Sequence, residues 1–172
     1  MKRLVSLVIA LLSFSRTVAV AGAEVEIEPA MPVLRMYVAA VAANDCSLVW
    51  RLTSSEAKSH GEAPEQYREL VCRIIARMQA THVQEQLAEP IAHLTDGPRH
   101  AVFVPSKRVS RAFGVAPVTE LMYIVYSNDD GVTWEVLDLG CVDQRWVRAV
   151  FPAYRGDPPL PADRARALEF LP

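Results

Sequence analysis

Cysteine is scarce in this chain, and its spacing is not that of a redox or zinc motif. The 172 residues include three cysteines, Cys46, Cys72 and Cys141, and no Cys-x-x-Cys pair. An odd number of cysteines in an oxidising compartment predicts one disulfide and one remaining thiol. The sequence does not choose among the three possible pairings, so all three residues are disulfide candidates.

Motifs that would assign a chemistry are also missing. The sequence has no His-x-x-x-His or Glu-x-x-His spacing, which would indicate a metal site. It has no Gly-x-Ser-x-Gly, Walker or dinucleotide-binding loop either. We therefore predict no metal, no cofactor and no residue that a motif would make catalytic.

Long apolar runs are absent, apart from a short one at the N-terminus. Lys2 and Arg3 precede the apolar run Leu4 to Phe14, and Ala21-Gly22-Ala23 has the small-x-small pattern of a cleavage site. A membrane span needs about 20 apolar residues, which is more than this run contains. We predict a signal peptide at residues 1–23, a periplasmic or secreted protein, and no membrane span after signal removal.

An excess of positive charge is absent as well. Without residues 1–23, 15 of the 18 basic residues remain against 20 acidic residues, which gives a net charge of −5. This charge gives no reason to expect nucleic acid or an anionic membrane surface as a partner. The length fits one domain, which we predict at residues 24–154 with a proline-rich C-terminal tail at residues 155–172.

Apolar residues at helical spacing dominate the first half of the domain. They predict a helix in PVLRMYVAAVAAND (residues 32–45), short helical turns in CSLVWRLTSSEAKSHG (residues 46–61), and a long amphipathic helix from Pro64 to Ala80. Ser47 could cap the turn that follows it. Thr53 and Glu56 have the spacing of a capping box for the next turn.

Beyond Ala80 the apolar residues alternate, which is the period of β-strands. The pattern predicts strands at residues 82–94, 100–109, 121–126 and 133–139, with Pro105 at an edge or a bulge. A short helix around Trp146 and Val147 should end before Pro152. Helices followed by strands predict an α+β fold, with N-terminal helices packed on an antiparallel sheet of about four strands.

The segment SNDDGVTW, Ser127 to Trp134, has the Ser-x-Asp-x-Gly-x-Thr-Trp pattern of an Asp-box, the hairpin tip of sialidase-type propellers. A propeller needs several four-stranded blades, and this chain offers one box and about four strands in all. Asp129 can accept backbone N–H bonds inside the turn, and Gly131 can supply a positive φ. We therefore interpret the segment as a structural hairpin, with Trp134 packed on the sheet, and not as a glycan-cleaving site.

The order of these elements resembles the NTF2-like superfamily, of which this chain would be an exported bacterial member. The resemblance rests on PVLRMYVAAVAANDCSLVWRLTSSEAKS and MYIVYSNDDGVTWEVLDL and covers Pro29 to about Tyr154. It implies a curved sheet that wraps a helix into a cone with one open end. The helix after the last strand and the tail depart from this pattern, and we expect them to plug or cover the open end.

The resemblance also implies a pocket in which such enzymes place an Asp, His or Tyr as acid or base. The candidates here are Asp45, His82, His93, Tyr123 and Asp138. We expect Asp45 to cap a helix instead. His82 and His93 are eleven residues apart in one predicted strand, so they point to opposite faces and at most one of them can face a pocket.

The other two candidates lie in the last predicted strands. We expect Tyr123 to pack in the core. Asp138 shares a face with Trp134 and Val136, so its carboxylate needs a partner such as an arginine, or a raised pKa. Tyr123, Trp134 and Asp138 are the candidate ligand-binding residues.

Three functions remain open at this point. The first is an exported, non-catalytic domain that binds a small apolar ligand or a protein partner, since the fold implies a pocket without a convincing acid–base set. The second is a periplasmic immunity protein that neutralises a toxic effector. The third is an isomerase- or dehydratase-like enzyme that uses Asp138 or a histidine in the pocket. The sequence gives no oligomeric state.

Overall fold

The computed structural model describes residues 28–59, 64–80, 84–109, 118–140 and 145–160. The predicted signal peptide, His82 and Cys141 lie outside these residues. The helices are α1 (Ala30–Ala42), α2 (Cys46–Leu52), α3 (Ser55–Ser59), α4 (Pro64–Ala80) and α5 (Arg145–Val150). The strands are β1 (Gln84–Leu87), β2 (Ala92–Asp96), β3 (Arg99–Val109), β4 (Val118–Ser127) and β5 (Glu135–Asp138).

The strands form one antiparallel sheet in the order β1-β3-β4-β5, and β2 pairs with the same side of β3 as β1 does. The sheet is strongly curled, and helices pack on it. The predicted α+β class is therefore confirmed. The long pairing between β3 and β4, from His100↔Ser127 to Val109↔Val118, forms the centre of the sheet.

The predicted single strand over residues 82–94 is wrong, because the described part of it forms two strands, β1 and β2. Leu87 pairs with Ser106 and Ala92 pairs with Phe103, so residues 88–91 face only residues 104 and 105 of β3. Pro105 has no N–H for a neighbouring strand, and the chain bulges where that bond would form. The expectation that Pro105 marks a bulge is met, although β3 is a central strand.

The two faces of the sheet are covered by different parts of the chain. On one face, called the helix face below, Val104, Tyr123 and Val136 pack against α1, α2 and α4. On the opposite face, Phe103 and Ile124 pack against α5 and the segment 151–160. The expectation that the last helix and the tail plug the open end of a cone is therefore wrong for α5 and residues 151–160, which cover this opposite face.

Capping side chains fix the ends of the short helices. The Asp45 carboxylate accepts a bond from the Leu48 N–H at 3.0 Å, so Asp45 caps α2, as predicted, and Ser47 lies inside that helix. The capping-box prediction is wrong in detail: the Ala57 N–H donates to the Ser54 hydroxyl at 3.0 Å, while Thr53 donates to the Val49 carbonyl.

Residues 53 and 54 also protect the outer edge of the sheet. Thr53 forms a parallel bridge with Val136, and the Ser54 N–H donates to the Val136 carbonyl at 2.9 Å. An open strand edge would be free to pair with another chain, and this segment covers it.

A disulfide joins Cys46 of α2 to Cys72 of α4, with the two Cα atoms 5.3 Å apart. This confirms that two of the three cysteines pair, and it selects one of the three pairings left open by the sequence. In the part of the chain that the structure describes, no helix is both long enough and apolar enough to cross a membrane.

Candidate functional site

The helix face carries a buried polar network made of Glu85, Ser106, Arg108, Tyr123 and Asp138, called the interior network below. Strand register brings these residues together, because Glu85 pairs with Arg108 and Tyr123 pairs with Asp138. Ser106 and Arg108 are two residues apart in β3, so their side chains lie on the same face. The five residues of the network therefore come from four strands, β1, β3, β4 and β5, and no two of them are neighbours in sequence.

Every carboxylate oxygen in the interior network accepts a hydrogen bond. Glu85 Oε1 accepts from the Tyr123 hydroxyl at 2.6 Å and from Ser106 Oγ at 2.8 Å. Glu85 Oε2 accepts from Arg108 Nε at 3.1 Å and Nη2 at 3.0 Å. Asp138 Oδ2 lies 3.4 Å from Arg108 Nη2, and Asp138 Oδ1 accepts from the Gly140 N–H at 2.8 Å. Of the two alternatives predicted for Asp138, a partner such as an arginine or a raised pKa, the structure shows the arginine partner.

Burial makes these contacts strong. The side chains of Glu85 and Asp138 are each 5% exposed and that of Arg108 is 13% exposed. Burial, reinforced by the charge of Asp138, holds the pKa of the Tyr123 hydroxyl well above its ordinary value. Tyr123 therefore stays a neutral donor to Glu85, and one arginine faces two carboxylates.

The space beside Asp138 is small. A cavity of about 20 Å³ lies between α1, α4 and β5, lined by Asp138, Tyr37, Thr53 and apolar side chains of α4. Such a volume holds about one water molecule. The interior network therefore has acid and base groups, but this cavity does not admit a substrate beside them.

The Asp-box forms the turn between β4 and β5, and its side chains are used by the turn itself. Asp129 Oδ1 accepts from Ser127 Oγ at 2.7 Å and from the Thr133 N–H at 2.8 Å, and Asp129 Oδ2 accepts from Thr133 Oγ1 at 2.7 Å. Gly131 has φ +83°, and its carbonyl accepts from Trp134 Nε1 at 2.9 Å. These contacts support the interpretation of the segment as a structural hairpin.

We predict that Asp129→Asn melts close to wild type at pH 7 and that Asp129→Leu melts lower, because an amide oxygen still accepts from Thr133 and Ser127. The bonds from Thr133 lower the pKa of Asp129 to about 2. The stabilisation by this carboxylate is thus present above its ordinary pKa and is lost as the pH falls towards 2. Thermal melting from pH 4 to pH 2 should show wild type losing stability relative to Asp129→Asn. An Asn variant that melts like the Leu variant at pH 7 would contradict this account.

A second polar cluster, not anticipated from the sequence, lies at the edge of the opposite face. The Tyr126 hydroxyl contacts the carboxylates of Glu56 and Glu135, and it lies 2.7 Å from Ser54 Oγ. The Ser55 N–H donates to Glu135 Oε2 at 2.8 Å. Burial and the bonds to the two glutamates raise the pKa of Tyr126. This cluster fixes the start of α3 to the β4–β5 hairpin.

The structure separates the three candidate ligand-binding residues. Tyr123 and Asp138 meet in the interior network, whereas Trp134 lies near the hairpin turn, with its ring centroid 6.3 Å from that of His100. All three are buried. His93 lies on β2, beside His100 of β3. Ligand binding by Tyr123, Trp134 and Asp138 stays a prediction.

A larger space lies at the end of the sheet near the last described residues. This groove, of about 470 Å³, lies between β1, β3, β4 and residues 159–160. Its apolar lining comes from Ala88, Pro105, Met122, Pro159 and Leu160, among others. Lys107 and Glu120, which pair across β3 and β4, supply charges of opposite sign. The sequence offered no signal for this groove, because strand register and the path of residues 151–160 create it.

The chain matches no protein-family model, and no curated protein is similar to it in sequence.

Proposed function

We propose that this protein is an exported, non-catalytic domain of the NTF2-like type that binds a small apolar ligand in the groove between β1, β3, β4 and residues 159–160. The observation that carries the proposal is the groove itself. Its volume of about 470 Å³ lies within the range of small-molecule sites, roughly 300–1,000 Å³. Its lining is mostly apolar, with a few polar groups that could orient a ligand.

The interior network supports a non-catalytic role for the helix face. A general base needs a free lone pair within reach of a substrate proton. Glu85 accepts four hydrogen bonds, which uses all its acceptor sites, and each oxygen of Asp138 accepts one. The cavity beside Asp138 has room for about one water molecule. We therefore assign the network to stabilising the curled sheet. The enzyme and immunity hypotheses stay predictions that none of these contacts favours.

The proposal has two further parts, export of the protein and its membership of the NTF2-like superfamily. Export is supported by the N-terminal pattern of residues 1–23 and by the disulfide between Cys46 and Cys72, because disulfides persist in oxidising compartments. Membership of the NTF2-like superfamily is supported by the element order and by a curled antiparallel sheet with a long helix on one face.

We predict that the protein binds phenylnaphthylamine, an uncharged apolar probe that fluoresces in apolar sites, and that Ala88→Trp weakens this binding about tenfold or more, a loss of ~1.4 kcal/mol. Ala88 is exposed at the rim of the groove, so an indole there fills the site without entering the core. Ala76→Trp, at an exposed position of α4, is the matched control. If Ala88→Trp, Ala76→Trp and wild type all bind the probe equally, the probe does not bind in this groove. If wild type does not bind the probe at all, the proposed function is rejected.

A further inference from the structure

Two histidines on neighbouring strands have adjacent rings, and each ring carries an unpartnered nitrogen. His93 pairs with Val102 and His100 pairs with Thr95, so the two histidines are diagonal neighbours on the helix face of β2 and β3. Their ring centroids are 5.5 Å apart. His93 Nε2 and His100 Nδ1 are both buried, and neither has a hydrogen-bond partner among residues 28–59, 64–80, 84–109, 118–140 and 145–160.

The other ring nitrogen of His100 is fixed by a carboxylate. His100 Nε2 lies 3.1 Å from Asp130 Oδ1. A carboxylate only accepts, so Nε2 carries the proton and Nδ1 of the neutral ring is a bare lone pair. Asp130 is held in turn by a bond from its N–H to the Pro98 carbonyl at 2.8 Å. A carboxylate that orients a histidine in this way is the usual support of a metal-ligating imidazole.

His93 is available in the form that binds metal. Burial, together with the neighbouring His100, lowers the pKa of His93. This shift favours the neutral ring, in which one of the two nitrogens has a free lone pair. A buried polar atom without a partner is uncommon in proteins, and each one calls for a ligand or another explanation. Here two such atoms lie on adjacent rings.

We propose that His93 Nε2 and His100 Nδ1 together bind one late first-row transition-metal ion, with Cu²⁺ held more tightly than Zn²⁺. Imidazole nitrogen is a preferred ligand of both ions, and the order of their affinities follows the general trend for such sites. A metal ~2.0–2.1 Å from each nitrogen holds the two ring centroids about 5–6 Å apart, which includes the observed 5.5 Å.

The site differs from a closed structural metal site. No group of three or more His, Cys, Asp or Glu side chains suited to a metal is found in the described part of the chain. The proposed ion is thus held by two protein nitrogens, and its remaining coordination positions take water or an exogenous ligand. His93 lies on β2, which pairs with β3 beside β1.

The test is calorimetric titration of the full chain with CuCl₂ and, separately, ZnCl₂ at pH 7, in a Cys141→Ser background that removes the remaining thiol. We expect one ion per chain and a loss of affinity as the pH falls, because protonation of imidazole competes with the metal. His93→Gln and His100→Gln should each weaken binding ~10-fold or more. His60→Gln is the matched control and should bind like the parent protein.

Folding of each variant is checked by circular dichroism, and His93→Gln decides the result because His93 is only partly buried. The His93 and His100 ring signals in NMR spectra should shift together on addition of ZnCl₂ to the parent protein. Binding that a folded His93→Gln variant retains within twofold, or a parent protein that binds neither ion, would overturn the proposal.

Discussion

Arg108→Met should lower the free energy of unfolding by about 3–5 kcal/mol, because it removes a cation that contacts two buried carboxylates. Arg108 donates to Glu85 through Nε and Nη2 and lies 3.4 Å from Asp138. Methionine fills a similar volume, so the loss arises from removal of the arginine charge beside the two carboxylates and not from a cavity. Urea unfolding at pH 7, followed by circular dichroism, measures the difference.

Two variants separate this effect from a general effect of removing an arginine. Arg35→Met removes an exposed arginine of α1 and should stay within about 0.5 kcal/mol of wild type. Glu85→Gln in the Arg108→Met background removes one of the two carboxylate charges and should recover part of the lost stability. If Arg108→Met unfolds like Arg35→Met, the interior network does not stabilise the sheet.

Local signals in the sequence were sufficient for the elements whose own residues determine them. The stripe of apolar residues after Pro64 predicted α4 with the bounds that the structure shows, Pro64–Ala80. The alternation after Asp96-Gly97 likewise predicted β3 within one residue of its observed start at Arg99. Residues 82–94 were harder, because the break between β1 and β2 depends on Pro105 in another strand.

The candidate sites depend on contacts between distant residues, and this limits what the sequence can indicate. The position of Asp138 beside Val136 and Trp134 was enough to predict either a partner such as an arginine or a raised pKa. It could not identify Arg108 or Glu85, because strand register alone brings them together. The single strand predicted over residues 82–94 also related His93 to His82, whereas the structure pairs β2 with β3 and places His93 beside His100.

The β4–β5 turn connects these observations. Asp129 and Gly131 shape the turn, Asp130 orients His100, and Trp134 packs in the core of the helix face. The Asp-box of this chain thus shapes the turn, orients His100 and contributes Trp134 to the core. Ser127, Asp129, Thr133 and Trp134 are bonded within the turn, which explains how the motif can occur singly, without the repeated blades of a propeller.

Trp134→Ala should therefore lower the free energy of unfolding by about 3–5 kcal/mol, the range for removal of a large buried aromatic side chain. The residue is 7% exposed, belongs to the core of the helix face, and donates from Nε1 to the Gly131 carbonyl at 2.9 Å. Alanine removes the packed ring and leaves a cavity beside Val136 and His100. Urea unfolding at pH 7 gives the change in free energy.

Gly131→Val in the same turn distinguishes loss of the ring from strain in the backbone. At φ +83° a side chain is strained, at a cost of about 1–2 kcal/mol or more. A Cβ atom there would lie 3.6 Å from Trp134 Cζ2, which is an ordinary contact. Backbone strain, and not a steric clash, should therefore cause most of the destabilisation. We expect Trp134→Ala to be the more destabilising of the two. If Trp134→Ala loses less than 1 kcal/mol, the indole is not part of the core, and the Asp-box must be reconsidered as a surface for a ligand.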